Sequence, residues 1–249
     1  MERRWTHGNQ LELLENGEGF FPAVFAAIAA AEHEIIIETF IWMSDGVGWQ
    51  LQEALLAAAR RGVSVDITVD GFGSANLATT PHQEFVSDLA EAGVRLHVYG
   101  PLAPIMGLQT NLFRRLHRKL VVIDGRLAFI GGINYSDEHV RSFGAMSKQD
   151  FAVRARGPVV DDIHAFCRTA IGESHRPRRR RSLRGLLRKL PRGWSTPSSN
   201  AQVLFVTRDN HNQRTAIEAM YRMGLRSAVR DIVIMNAYFF PGWRFLRAM

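Results

Sequence analysis

Residues 117–134, with the sequence HRKLVVIDGRLAFIGGIN, decide how this 249-residue chain is interpreted. Two short apolar runs flank Asp124-Gly125, a pair typical of a tight turn between antiparallel strands. We therefore predict strands at 116–123 and 127–130 that form a hairpin. The apolar side chains of this hairpin would anchor it in the core, which leaves its polar residues for chemistry.

The polar residues of this stretch have the chemistry of an anion site. Residues two apart on a strand point to the same face, so His117 and Lys119 would present an imidazole and an ammonium side by side. Asp124 at the turn could orient these cationic side chains or balance their charge. The Gly131-Gly132 pair lets a ligand approach the backbone, and Asn134 adds an amide donor. Imidazole, ammonium and amide groups together suit a tetrahedral anion, with histidine as nucleophile or acid.

Upstream of the hairpin, apolar runs alternate with amphipathic segments. Predicted strands lie at 11–15, 34–42, 63–70 and 94–99, and predicted helices at 20–31, 47–61 and 84–92. The run IIIETFIW is typical of a strand buried on both faces, although its Glu38 needs a partner, for which a basic residue near the site is the candidate. Gly62 and Gly93 fall where helix C-caps belong. We predict an α/β fold with a mixed sheet flanked by helices.

The charge is concentrated in one segment. The net charge is +7, but residues 176–193 hold nine Lys and Arg and no acid. Without those nine, 22 basic residues face 24 acidic ones, a net of −2, which disfavours a whole-surface nucleic-acid binder. Leucines at i, i+3, i+4 and i+7 in this segment fit either a basic amphipathic helix for anionic membranes or a solvated linker.

Two further features bound the location. The single cysteine, Cys167, suits a reducing compartment. The longest apolar run, residues 19–31, is shorter than the roughly 20 residues of a membrane-spanning helix, and the start lacks the apolar core of a signal peptide. We therefore expect any membrane contact to be peripheral.

The pattern of the first lobe returns near the end of the chain. Glu34-Ile-Ile-Ile compares with Asp231-Ile-Val-Ile, and Gly48-Trp49 compares with Gly242-Trp243, so we predict the start of a second lobe with an apolar strand at 232–240. This divides the chain into a first lobe at 1–170, a linker at 171–200 and an incomplete lobe at 201–249. The 194-residue offset of the Gly-Trp pairs puts an equivalent of His117 near position 311, so we expect the partner motif beyond Met249.

The whole spacing, HxK, four residues, Asp, six residues, GGxN, resembles the HxKxxxxD motif with trailing G(G/S)xN of the phospholipase D superfamily. Wider stretches look like its bacterial cardiolipin synthase branch, namely LLENGEGFFPAVFAAI, IIIETFIW, FRRLHRKLVVIDGRLAFIGGINYSDEH, KQDFAVRARGPVV and NAYFFPGWRFL. The resemblance covers essentially the whole chain and corresponds to the amino-terminal part of such an enzyme.

This resemblance implies a transferase that uses neither metal nor cofactor and forms a phosphohistidine. In such an enzyme the donor would be phosphatidylglycerol, from which glycerol leaves, and the acceptor would be a second phosphatidylglycerol or a related phospholipid, which gives cardiolipin at a site where two motifs meet. Carried over by motif, His117, Lys119 and Asp124 are catalytic, and Gly131, Gly132 and Asn134 contact the substrate. The implied partner is anionic phospholipid, and the implied location is the cytosolic side of the bacterial cytoplasmic membrane.

Only one such motif occurs in this chain, so we expect half a site that turns over slowly or not at all alone. Two alternatives stay open. One is a single-motif nuclease that completes its site as a homodimer, which the near-neutral charge outside the linker disfavours. The other is a non-catalytic, truncated membrane-binding fragment.

Overall fold

A computed structural model describes residues 4–75, 83–100, 104–105, 108–109, 115–174, 200–208, 213–236 and 239–249. The basic segment at 176–193 lies outside these residues, so its membrane or linker role stays a prediction. The described chain forms two compact units, one of Thr6–Val203 and one made up mainly of Leu204–Met249. No helix among the described residues is long and apolar enough to cross a membrane.

Strands and helices alternate through the first unit as the sequence predicts. The helices are α1 (Asn16–Ala29), α2 (Gly46–Arg60), α3 (Gln83–Glu91), α4 (Val159–Ser174), α5 (Ala216–Ser227) and α6 (Trp243–Leu246). The strands are β1 (Trp5–Glu15), β2 (Glu34–Thr39), β3 (Ser64–Asp70), β4 (Arg95–Tyr99), β5 (Pro104–Ile105), β6 (Leu108–Gln109), β7 (Leu120–Ile123), β8 (Leu127–Gly131), β9 (Phe151–Arg156) and β10 (Ala201–Leu204).

Eight of these strands form one mixed sheet in the order β10-β1-β9-β8-β7-β2-β3-β4. Strands β2, β3 and β4 run parallel, while β7 joins β2 antiparallel and pairs with β8 as the predicted hairpin. The α/β fold with a mixed sheet is therefore confirmed. Sequence reasoning did not identify β9, which inserts between β1 and β8 and so carries the chain beyond the hairpin back into the sheet.

Alternation along β2 separates two layers. Ile35 and Ile37 belong to the main apolar core, which α1 and α2 cover. Glu34 and Glu38 point to the opposite layer, where α4 packs against β4, β7 and β8. The sheet is thus apolar on one side and carries buried carboxylates on the other.

Glycines end α2 and α3 as predicted. Gly62 and Gly93 follow these helices with φ of +88° and +82°, which is the left-handed conformation of a C-cap glycine. The two copies of the Gly-Trp pair, Gly48-Trp49 and Gly242-Trp243, lie in different structural environments, however. A Cβ on Gly48 inside α2 would lie 1.6 Å from the Met43 carbonyl oxygen, whereas Gly242 precedes α6 in open space.

The strand predicted at 232–240 is not formed in the part of it that the structure describes. Residues 231–236 have no regular structure and are exposed, with Val233 92% exposed. An apolar run becomes a strand only when a neighbour completes its hydrogen-bond ladder. No described strand pairs with this segment, so the prediction is wrong here.

Candidate active site

His117 and Lys119 lie next to each other at the start of β7. They belong to residues 115–119, which precede the strand, so the predicted strand at 116–123 begins four residues later than expected. The two side chains still meet, with Lys119 Nζ 3.3 Å from His117 Nδ1 and 3.2 Å from the His117 carbonyl oxygen. The Phe40 ring contacts both, with its centroid 4.9 Å from the imidazole and 5.2 Å from Nζ.

Burial makes both groups less basic than usual. It lowers the pKa of Lys119 to about 8, and the nearby Asp150 carboxylate only partly offsets this. Burial and the charge of Lys119 also lower the pKa of His117, against an opposing effect of Asp70. At neutral pH the site therefore holds a neutral imidazole beside a charged ammonium.

Asp70, at the end of β3, fixes the backbone that carries His117. Its carboxylate is fully buried and accepts from the backbone N–H of Leu116 at 2.7 Å. The other carboxylate oxygen accepts from Phe72 and Gly73, each at 3.0 Å. One carboxylate thus ties the loop after β3 to the residue before His117.

Glu38 holds the same segment from the other layer. The Arg118 Nε donates to Glu38 Oε2 at 2.6 Å, and its guanidinium lies 5.0 Å from the Phe166 ring centroid. The Glu38 side chain is fully buried, while that of Arg118 is 39% exposed. The predicted basic partner of Glu38 is therefore confirmed as Arg118, which lies between His117 and Lys119 in the chain.

Asp124 serves the fold at the opposite end of β7. Its carboxylate accepts from the backbone N–H groups of Glu32, His33 and Glu34 at 2.7–3.0 Å. Burial acts to raise the pKa of Asp124, but these three donors outweigh it, and the pKa lies below its ordinary value. Asp124 lies five residue steps along the chain from Lys119, with the four residues of β7 between them, which is roughly 16 Å. The expectation that Asp124 orients or balances the cationic side chains is therefore wrong.

The Gly131-Gly132 pair makes room for the chain itself. A Cβ on Gly131 would lie 2.5 Å from the Phe151 carbonyl oxygen, and one on Gly132 would lie 2.2 Å from Asp150 Oδ1. The close approach predicted for a ligand is thus taken by β9 and by the carboxylate that acts on Lys119. Glycine is required here because β9 packs directly against the end of β8.

Asn134 has a donor left for a ligand. Its Oδ1 accepts from Ile41 N at 3.1 Å, and its own N–H donates to His139 Nε2 at 3.2 Å. The first contact holds the side-chain amide and the second holds the backbone, while the side-chain NH₂ group has no hydrogen bond to the described residues. The predicted role of Asn134 as a phosphate contact stays a prediction.

Sequence reasoning missed Asp70, Asp150 and Phe40 as part of this site. Asp70 had a visible signal, since it ends an apolar strand and a buried carboxylate needs donors. Asp150 had none, because only the insertion of β9 beside β8 brings it to Lys119. Among the described residues, no three His, Cys, Asp or Glu side chains come together in a way that could hold a metal ion.

A family model and a sequence relative of this chain both carry the name cardiolipin synthase. The family model described as "Cardiolipin synthase, PLD-like domain" matches residues 24–146. The chain is 49% identical over 251 aligned residues to "Cardiolipin synthase B" of Escherichia coli K12. That match covers the whole chain but only 58% of the relative, so the chain spans little more than half the length of this protein.

Two solved structures share the fold. Nuc, a phospholipase D family member from Salmonella typhimurium, matches with a TM-score of 0.51 at 17% identity, over 66% of this chain and 95% of Nuc. A phosphatidylserine synthase from Haemophilus influenzae matches with a TM-score of 0.51 at 18% identity, over 64% of this chain and 36% of the synthase. At such identities these matches concern the architecture alone.

Proposed function

The chain belongs to the bacterial cardiolipin synthase branch of the phospholipase D superfamily, and we propose that it supplies one half of a phosphatidyltransferase site. The observation that carries the proposal is the pairing of His117 with Lys119, 3.3 Å apart, on a segment held by Asp70 and Glu38. A neutral imidazole next to a fixed cation is suited to attack on a phosphodiester.

The proposed reaction has two balanced steps. A ring nitrogen of His117 attacks the phosphorus of phosphatidylglycerol, so an N–P bond forms, the P–O bond to glycerol breaks, and the glycerol oxygen takes up a proton from an acid. The primary hydroxyl of a second phosphatidylglycerol then attacks, so a P–O bond forms, the N–P bond breaks, and the hydroxyl proton passes to a base. The net products are cardiolipin and glycerol.

His117 fits the role of nucleophile better than that of acid. Burial and Lys119 lower its pKa, so its ring keeps a nitrogen lone pair at neutral pH. Lys119 stabilises the charge that develops on the phosphoryl oxygens, and Asn134 donates to another of these oxygens. Asp124 contributes through the fold by holding the chain that enters β2.

The acid and base belong to a second motif. The sequence has one HxKxxxxD, so this motif comes from further chain or from a second copy. We propose that the chain consists of a first lobe at 1–170, a linker at 171–200 and part of a second lobe at 201–249. The basic segment at 176–193 within the linker would bind anionic phospholipid on the cytosolic membrane surface.

A trapping assay tests the proposal. The 249-residue chain is mixed with vesicles of phosphatidylglycerol, alone or with a polypeptide carrying a second motif, and quenched in alkali, under which phosphohistidine survives. We expect a phosphatidyl group on residue 117 by mass spectrometry, absent from His117→Asn, and cardiolipin only when the second motif is supplied. Modification at another residue, or none in either mixture, would contradict the proposal.

The same preparation tests the nuclease alternative. A homodimeric nuclease predicts DNA cleavage that needs His117 and DNA binding that weakens steeply with salt. We expect no DNA cleavage that depends on His117 and no DNA binding at this site. Cleavage lost in His117→Asn, together with absent lipid chemistry, would favour the nuclease.

A further inference from the structure

Arg115 carries a charged guanidinium next to the site. It has no hydrogen bond or ion pair to any described residue, and its Nη1 is buried. Its guanidinium carbon lies 4.3 Å from the centroid of the Phe72 ring, which is 49% exposed. A buried guanidinium N–H that has lost water and gained no acceptor is unfavourable, so this group is poised for an anion.

The contacts around Arg115 place it beside the reacting groups. Leu116, which separates it from His117, is held by Asp70, and the same carboxylate holds the backbone of Phe72. Two residues of chain cannot separate the Cα atoms of Arg115 and His117 by more than about 7 Å. Asp70 therefore holds the backbone near two binding groups, the His117–Lys119 pair and the Arg115 guanidinium on the Phe72 ring, in a fixed position relative to each other.

Asp70 makes no hydrogen bond or ion pair to Arg115. Both of its oxygens accept from backbone N–H groups instead. Arginine is the side chain best suited to paired hydrogen bonds with phosphate, and an aromatic ring holds its plane in place. The exposed Phe72 also offers an apolar surface for the carbon atoms that adjoin a phosphate.

The proposed reaction brings two phosphates to the site, and so far only one has a binding group. The acceptor phosphatidylglycerol carries its own phosphate, which a three-carbon glycerol bridge links to the hydroxyl that attacks. We propose that Arg115, held against Phe72, binds this second phosphate, while His117 and Lys119 hold the reacting one. The inference rests on the proposed function and names the group that selects a phospholipid as acceptor.

Soluble headgroups test this without turnover. The ligands are glycerol 3-phosphate, with one phosphate, and glycerol 1,3-bisphosphate, with two. Binding to the 249-residue chain is followed through the NMR signals of the His117 imidazole, so that anions on the basic segment do not count, at fixed ionic strength. We expect the bisphosphate to bind at least tenfold more tightly than the monophosphate, as one charge-assisted hydrogen-bonded pair provides about that factor.

Arg115→Gln should reduce this ratio to about two, the statistical advantage of two equivalent phosphates, and leave monophosphate binding unchanged. The matched control, Arg126→Gln in the β7–β8 turn, removes the same charge at the far end of the hairpin and should leave the ratio unchanged. Arg115→Lys should give an intermediate ratio and shows whether loss of charge or of the planar group matters.

An unchanged ratio in Arg115→Gln, or a ratio of about two in the wild-type chain, would overturn the subsite and leave the proposed function standing. Failure of both ligands to bind the wild-type chain would overturn the subsite together with the phosphate site at His117. Unfolding of Arg115→Gln, visible in its amide spectrum, would be resolved by Arg115→Lys, whose ratio must then fall.

Discussion

Replacing Arg118 by methionine should destabilise the fold far more than replacing its partner Glu38 by glutamine. The Glu38 side chain is completely buried, whereas that of Arg118 is 39% exposed and lies over the Phe166 ring. Without Arg118 the buried carboxylate of Glu38 loses its charged partner. Without the Glu38 carboxylate, a half-exposed guanidinium is simply hydrated.

Removing one partner from a buried ion pair costs about 3–5 kcal/mol. Because solvent screens part of this pair from the Arg118 side, we take the lower end, about 3 kcal/mol, for Arg118→Met. Glu38→Gln loses one charge-assisted hydrogen bond of 2.6 Å and should cost about 1–1.5 kcal/mol. In the double variant no uncompensated charge remains, so its cost should lie well below the sum of the single costs.

Urea unfolding followed by far-UV circular dichroism at pH 7.5 measures all four proteins. Midpoints should shift at constant m value, since the surface exposed on unfolding does not change. Two outcomes would contradict this prediction: Glu38→Gln as damaging as Arg118→Met, or single costs that add up in the double variant. Either result would mean that Glu38 is not a buried charge that depends on Arg118.

Three further predictions follow from the site. Lys119→Met should stabilise the fold at pH 7 by about 3 kcal/mol, because the pKa of Lys119 is lowered to about 8 and the charged form opposes folding. This gain should fade as pH rises from about 8 to the ordinary lysine pKa, and a gain that persists at pH 11 would contradict the prediction. Because the charge of Lys119 is lost, NMR should also show a higher pKa of His117 in Lys119→Met than in the wild-type chain. Asp124→Asn keeps the left-handed turn, whose φ is 51°, but loses the carboxylate that three N–H groups hold, so it should cost about 2 kcal/mol at pH 7. Since the pKa of Asp124 is lowered, that cost should shrink as pH falls below about 4, and a cost independent of pH would refute it. Gly132→Ala should destabilise by about 2 kcal/mol or more, because its Cβ would lie 2.2 Å from Asp150 Oδ1, with Gly224→Ala, in open space, as the harmless control in thermal melts.

The local patterns of the sequence were sufficient for the first lobe. Runs such as IIIETFIW, the glycines after α2 and α3, and the Asp124-Gly125 turn each act through neighbours in the chain, so elements and hairpin could be predicted with bounds only a few residues off. The same rule failed at 231–236, because a strand also needs a partner for its ladder and the described residues provide none.

The sequence by itself indicated the family, through the spacing that sets His117 beside Lys119, and these 249 residues hold one such motif. Only the tertiary structure decided what surrounds this pair. Asp70 and Glu38 hold the segment of His117 and Lys119 from two different strands. The Asp150 carboxylate acts on Lys119 because β9 lies beside β8, and Asp124 lies at the other end of β7, bonded to the backbone before β2. The reason is physical: desolvation and charge act between groups that are distant in the chain, and no local pattern records which strands become neighbours.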